Sequence, residues 1–134
     1  MVGCEAYRVP TGTGWEGAAR GGTDQPYPGA EGPEWVAWAR ESAGETPHAV
    51  GQLRANACGL VDMGGNVAEW VHDRYTNERP GGSDPLGDPT ASDRVSRGGA
   101  WVSDPTETRV PARKRRTPTQ STSATGYRMA RTAD

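Results

Sequence analysis

Hydrophobic positions along this chain fall in short, separated groups rather than in long periodic runs. One group has helical spacing, because Trp15, Ala18 and Ala19 lie at i, i+3 and i+4. Thr11 precedes this group and the Gly21-Gly22 pair follows it. A Thr start and a Gly stop are typical of helix ends. The pattern therefore predicts one short helix with a narrow apolar face.

Alternation of apolar and polar residues predicts the strands. It is clearest in AEWVHDRY at 68–75, in RVSRGGAWV at 94–102 and in GYRMAR at 126–131. Gly98-Gly99 interrupts the second of these segments, which predicts a β-bulge there. TPHAVGQ at 46–52 predicts a short extended segment. The intervening stretches at 23–45, 76–92 and 117–125 are rich in turn residues and predict loops.

The composition favours a loop-rich globule with aromatic anchors. The chain has 134 residues, 33% of them hydrophobic, with 5 Trp and no Phe. It also has 19 Gly and 11 Pro, which predicts many turns and little regular structure. A length of this size predicts a single domain over residues 1–134, and burial of Trp is expected to anchor it.

Charge gives no reason to expect a nucleic acid or a membrane as partner. The net charge is −2, although residues 101–134 carry seven Arg or Lys against three Asp or Glu. The basic run at 113–116 lacks interleaved aromatics, so we interpret it as a solvated strand face or loop. No signal peptide and no apolar run of membrane length are visible, so a cytoplasmic location is expected.

The residues that usually carry catalysis form no recognisable site. Cys4 and Cys58 are too few for a disulfide scaffold, and their spacing leaves open whether they pair. His48 and His72 have no spacing typical of zinc ligands. No GxSxG elbow and no phosphate-binding glycine motif are present.

Four segments in order carry a family resemblance: YRVPTGTGWEGAARGG, ANACGLVDMGGNVAEWVHDRY, DRVSRGGAWV and GYRMAR. Together they resemble the formylglycine-generating enzyme, or sulfatase-modifying factor, family. The resemblance implies an α+β fold of the C-type lectin-like type. It covers nearly the whole chain but only the second half of a family domain, whose first strands and first helix have no counterpart here. A truncated or degenerate member that pairs with a second copy or a complementing chain is therefore one alternative.

The resemblance also implies a calcium site in GLVDMGGNVAEW. In the family this loop wraps a calcium ion, which prefers carboxylate and carbonyl oxygens. Carried over to this chain, Asp62 and Glu69 would supply carboxylates, and Gly65 and Val67 would supply main-chain carbonyls. The alternative is that Asp62 and Glu69 cap turns while Asn66 adopts the left-handed conformation.

The catalytic cysteine pair of the family has no counterpart here. Formylglycine-generating enzymes oxidise a substrate cysteine with two cysteines that bind copper and follow the RGGSW-type segment. In this chain Ser103 and Thr108 occupy those places, and Ala100 replaces the family Ser. A hydroxyl does not replace a thiolate as a ligand for Cu(I). We therefore expect neither bound copper nor formylglycine-generating activity.

The function expected from these observations is calcium-stabilised binding of an unknown protein or small-molecule ligand. Formylglycine-generating or related metal-dependent oxidase activity on a protein or sulfur substrate remains the enzymatic alternative. The expected binding surface lies around 102–125 and consists of Trp101, Ser103, Asp104, Thr106, Glu107, Arg109, Arg113 and Arg115. Structural roles are expected for the motif residues Asn66, Trp70, Arg97, Gly98, Gly99, Gly126 and Arg128.

Overall fold

The computed structural model describes residues 6–78, 81–83 and 85–132, and the one α-helix in these ranges is α1 (Gly12–Arg20). The Thr11 hydroxyl accepts a hydrogen bond from the Gly14 amide at 3.1 Å. Gly21 ends the helix in the left-handed conformation, with φ of 56°. The predicted helix, its start and its end are confirmed.

Six short strands accompany the helix and form two sheets. They are β1 (Ala37–Trp38), β2 (Gly64–Gly65), β3 (Ala68–Arg74), β4 (Arg94–Arg97), β5 (Lys114–Arg116) and β6 (Thr125–Tyr127). β1 and β2 pair in parallel. The larger sheet has the order β5-β4-β3-β6, in which only the β3–β6 pair is parallel. The predicted α+β class and the abundance of loops are confirmed.

The main core lies between α1 and one face of the larger sheet. Trp15 is 1% exposed and packs in one cluster with Val71 of β3 and Val95 of β4. Met63 and Val110 complete this cluster from the loops. Burial of a Trp removes a large apolar area from water, so the expected aromatic anchor is present in the form of Trp15.

Three predicted elements differ from the structure. The segment at 94–102 contains no bulge at its glycines, because β4 ends at Arg97 and the chain turns away through Gly98 and Gly99, with φ of 88° and 66°. The irregularity lies instead in the β3–β4 pairing, between Trp70 and Arg74. Residues 46–52 form no strand, and the last strand starts one residue earlier and ends at Tyr127.

Gly98 shows why the chain turns where it does. A Cβ at this position would lie 3.0 Å from the Met63 carbonyl oxygen and 3.3 Å from the Trp15 ring. Only a glycine lets the backbone pass this closely over the core in a left-handed conformation.

Among the described residues, no helix is long and apolar enough to cross a membrane.

Candidate functional site

The turn at Asp62 contains a buried carboxylate that is only half satisfied. Asp62 has a left-handed backbone, with φ of 55°, and is 7% exposed. Its Oδ2 accepts a hydrogen bond from the Gly51 amide at 2.7 Å. Its Oδ1 is buried and has no hydrogen-bond partner among the described residues. A buried carboxylate oxygen without a donor needs a cation or a water molecule to offset its desolvation.

Asn66 fixes the same loop to the segment that precedes it. Its φ of 64° confirms the left-handed conformation considered from the sequence. The Asn66 side chain accepts a hydrogen bond from the His48 amide at 2.8 Å and donates one to the His48 carbonyl at 3.0 Å. The His48 ring stacks on Trp38 with centroids 3.8 Å apart. His48 therefore has a packing role.

Glu69 is buried in β3 with two partners from distant parts of the chain. Its Oε2 accepts a hydrogen bond from the Trp15 indole Nε1 at 2.7 Å. Its Oε1 lies 2.8 Å from Nη2 of Arg128, whose guanidinium also donates to the carbonyls of Val61 and Asp62. The Glu69 side chain is 8% exposed and that of Arg128 is 29% exposed. The carboxylate is thus paired with a cation in the fold itself.

One cavity of about 340 Å³ brings together all four residues expected to bind calcium. Asp62, Gly65, Val67 and Glu69 line it, together with Arg128. No group of three or more His, Cys, Asp or Glu suited to a metal occurs among the described residues, so an ion here depends on main-chain oxygens. The orphaned Asp62 oxygen fits a hard cation. Glu69 fits less well, because Arg128 already neutralises its charge.

The two positions that the sequence resemblance aligns with the family cysteines lie inside the protein. Ser103 is 5% exposed, and its Oγ accepts a hydrogen bond from the Ala100 amide at 2.9 Å. Thr108 is fully buried, and its hydroxyl donates to the Pro105 carbonyl at 2.7 Å. A short 3-10 helix, Pro105–Thr108, starts two residues after Ser103 and ends at Thr108. Both hydroxyls serve local turn structure.

The expected binding surface is therefore smaller than the sequence suggested. Ser103 does not belong to it because it is buried, and Trp101 packs against the small cluster of Ala68, Ala100 and Ala124. Arg109 and Arg115 are exposed, and Arg115 pairs with Asp93. Hydrogen bonding to Arg115 holds the pKa of Asp93 below its usual range.

Asp104, Thr106 and Glu107 from the same surface cap the 3-10 helix. The Asp104 side chain accepts from the Thr106 amide, while the Glu107 carboxylate accepts from the Asp104 amide at 3.2 Å. The Thr106 hydroxyl and amide lower the pKa of the Asp104 carboxyl. Nearby, Arg113 stacks over the Tyr75 ring at 5.2 Å and donates to the Thr76 carbonyl. Through these contacts the side chains of Asp104, Thr106, Glu107 and Arg113 stabilise the local structure.

The expected structural roles of the motif arginines and glycines agree with the geometry. Arg97 is 3.1 Å from the Glu16 carboxylate and donates to the Val110 carbonyl. Gly126 lies opposite Glu69 in the parallel β3–β6 pair. Gly99 approaches Glu107 so closely that a Cβ would lie 2.9 Å from its carbonyl oxygen. Trp70 is half-buried and lies on the sheet face away from α1.

The partners of Glu69 are the feature that sequence reasoning missed. From the sequence, Glu69 is expected to be a metal ligand and Arg128 to have only a structural role, without a partner. The two residues are 59 positions apart, and Trp15 is 54 positions from Glu69. A buried Glu in a strand indicates that a cation is needed nearby, but no local pattern selects Arg128. Cys58 is exposed and free, and Cys4 lies outside the described residues.

Comparison with known proteins places this geometry in a family. The family described as "Sulfatase-modifying factor enzyme 1-like domain" matches residues 2–133. A formylglycine-generating enzyme of Streptomyces coelicolor is 34% identical over 95% of this chain and 47% of its own length. The chaperone protein LppX of Paenibacillus barcinonensis is 36% identical over 75% of this chain and 40% of its own length.

A solved structure supports the fold in the same way. Treponema denticola variable protein 1 superposes with a TM-score of 0.87 and 34% identity, covering 93% of this chain and 47% of that one. The expected sulfatase-modifying-factor type of fold is therefore confirmed. The chain spans less than half the length of each of these three relatives.

Proposed function

Since this chain belongs to the sulfatase-modifying factor enzyme 1-like family, we propose that it is a non-catalytic, lectin-like binding module of that family. The observation that carries the proposal is the use of Ser103 and Thr108. Both hydroxyls are buried and hydrogen-bonded to main-chain groups of their own loop. The resemblance places the copper-binding thiols of the family at these two positions, and hydroxyls are poor ligands for Cu(I).

The relatives support two different roles. The Paenibacillus relative is named a chaperone protein, which favours binding. The Streptomyces relative is named an enzyme, which keeps oxidation of a cysteine-containing peptide as the alternative. The side chains at Ser103 and Thr108 distinguish these two roles, because the enzymatic role requires a copper-binding site.

The first test concerns copper and the cysteine substrate. We expect the purified chain neither to retain Cu(I) against a competing chelator nor to change the mass of a cysteine-containing peptide. The double variant Ser103→Cys, Thr108→Cys should gain Cu(I) affinity by about a hundredfold or more, because two soft thiolates replace hard hydroxyls. The single variants serve as matched controls. Copper retention or aldehyde formation by the unsubstituted chain would contradict the proposal.

We further propose that calcium stabilises the module at the cavity lined by Asp62. The orphaned Asp62 Oδ1 would hold the ion together with main-chain oxygens of Gly65 and Val67. Glu69 would contribute only through the carboxylate that also holds Arg128. The two carboxylates and one guanidinium leave the cavity with one net negative charge, which favours a cation.

A thermal melt with calcium and then with excess chelator tests this site. Free calcium at a hundred times its Kd should stabilise the fold by about 2.7 kcal/mol, which raises Tm by several degrees. Asp62→Asn preserves the shape of the side chain and should abolish the response. The matched control is Asp104→Asn, because Asp104 is exposed and lies in another loop. Identical melts with calcium and with chelator would refute the calcium site.

A further inference from the structure

The face of the larger sheet that lies opposite α1 contains a cleft with an unusual arrangement of charges. Glu69, Val71 and Asp73 of β3 point toward α1, as shown by the contacts of Trp15 and Gly12 with them. Residues between these positions point the other way because side chains alternate along a strand. We call this the outer face, and its residues are Trp70, His72, Arg94, Ser96, Lys114, Arg116 and Tyr127.

The cleft on the outer face has apolar walls with a guanidinium and an imidazole beside them. Its volume is about 380 Å³, and Trp70, Tyr127, Val9 and Pro118 form the apolar part. Arg94 and His72 also line it. Tyr127 is 69% exposed, although it lies next to Trp70 in the β3–β6 pair. Exposed aromatic groups beside an arginine are typical of the energetic centre of a binding interface.

Two arginines oppose each other directly in the β4–β5 pair, and one of them, Arg94, lines this cleft. Arg94 of β4 and Arg116 of β5 are cross-strand partners. Like charges placed directly opposite each other destabilise a sheet. Arg94 donates to the His72 carbonyl at 2.9 Å, and Arg116 donates to the Ser96 hydroxyl at 2.8 Å. These acceptors are neutral, so they fix the guanidinium groups without cancelling their charge.

The rest of the outer face does not cancel that charge either. Among the described residues, no carboxylate forms a salt bridge with Arg94 or Arg116. The nearby Glu107 pairs with Lys114 at 3.3 Å. Burial lowers the pKa of Arg116 from its ordinary value, while the charge of Glu107 raises it. Arg116 is therefore a partly dehydrated cation, for which an additional anion is more stabilising than for one in open water.

We propose that the outer face binds an acidic segment of a partner polypeptide. A carboxylate of the partner bridges Arg94 and Arg116, and a neighbouring apolar side chain enters the cleft beside Trp70 and Tyr127. Guanidinium groups hold carboxylates through short, charge-assisted hydrogen bonds. A second copy of this chain fits less well, because face-to-face docking would bring the two arginine pairs together. The inference rests on the proposed binding function, for which it names the partner.

The test uses the full chain and a short dye-labelled peptide in which glutamates flank a phenylalanine, with both termini blocked. Fluorescence anisotropy should show saturable binding that weakens as salt is added. A matched peptide with glutamines in place of the glutamates should bind at least about tenfold more weakly, as expected for loss of a charge-assisted contact. Sedimentation of the free chain should show a monomer.

Variants of the chain locate the site. Arg94→Gln and Tyr127→Ala should each weaken peptide binding about tenfold or more, as expected for central interface residues. Tyr127→Ala is expected to leave the protein folded, because the Tyr127 side chain is exposed. Thermal melts verify that both variants are folded. Arg115→Gln is the matched control, since Arg115 lies next to Arg116 on β5 but alternates to the other face of the sheet and is paired with Asp93.

Several results would overturn the inference. These are equal binding of the two peptides, no binding of either, or an Arg115→Gln loss as large as that of Arg94→Gln. A dimer that Arg94→Gln dissociates would assign the outer face to a second copy instead. The proposed function fails by a separate result, which is copper-dependent oxidation of a cysteine peptide.

Discussion

Replacement of Gly65 by alanine is expected to destabilise the protein by about 3 kcal/mol or more, because it combines backbone strain with a steric clash. Gly65 lies in β2 with φ of 69°. A Cβ at this position would overlap the main chain of Trp38 in β1. The parallel β1–β2 pair would have to separate, and the hydrogen bond from the Asn66 amide to the Trp38 carbonyl at 2.8 Å would be lost with it.

Gly44 provides the matched control for this experiment. Its φ of 65° is nearly the same, but a Cβ there meets no atom within 4 Å. Gly44→Ala should therefore cost only the left-handed conformation, about 1 kcal/mol. Unfolding by denaturant, with equal m-values for the two variants, measures the difference. Equal losses of stability in Gly65→Ala and Gly44→Ala would contradict the close approach of β2 to β1.

Glu69→Ala is expected to lower the free energy of unfolding by about 3 kcal/mol, since it removes a buried carboxylate and leaves the partly buried Arg128 guanidinium without its partner. It also removes the acceptor of the buried Trp15 indole N–H. Glu69→Gln should lose less, because an amide oxygen still accepts from Trp15. Glu107→Ala is the control, since its pair with Lys114 is exposed and should contribute no more than about 1 kcal/mol.

Glu69→Ala also distinguishes the two interpretations of Glu69, as the partner of Arg128 and as a calcium ligand. If Glu69 acts mainly by holding Arg128, the loss persists when calcium is removed with a chelator. If it acts mainly as a calcium ligand, the loss appears only with calcium present. The contacts of Glu69 with Arg128 and Trp15 lead us to expect the first outcome. A loss confined to calcium-containing buffer would contradict the importance of the Arg128 pair.

Local signals made part of the fold predictable. Thr11 and Gly21 bounded α1 correctly, because caps act through hydrogen bonds and backbone angles within one turn. The alternation in AEWVHDRY gave β3 (Ala68–Arg74), because its inward residues meet the core. The left-handed conformation of Asn66 was considered only within the alternative to the calcium site, and the structure has it. Each signal lies within a few residues of what it determines.

Errors arose where distant residues decide the structure. β4 ends at Arg97 because the Gly98 backbone must pass Met63 and Trp15, and nothing in RVSRGGAWV announces this contact. Ser103 was assigned to the surface by its polarity, yet it is buried with its hydroxyl on the Ala100 amide. A polar side chain can be buried when it forms a hydrogen bond. The sequence does not identify its partner, because the fold brings the two groups together.

The sequence by itself determined the helix, the longest strand, the turn-rich character and the family resemblance, since these depend on order and spacing along the chain. The tertiary structure decided which charges meet. It placed Arg128 on Glu69, left one oxygen of Asp62 without a donor among the described residues, and set Arg94 opposite Arg116. Coulomb energy and desolvation depend on separation and burial in space. Those distances are fixed only when strands far apart in sequence pair and pack.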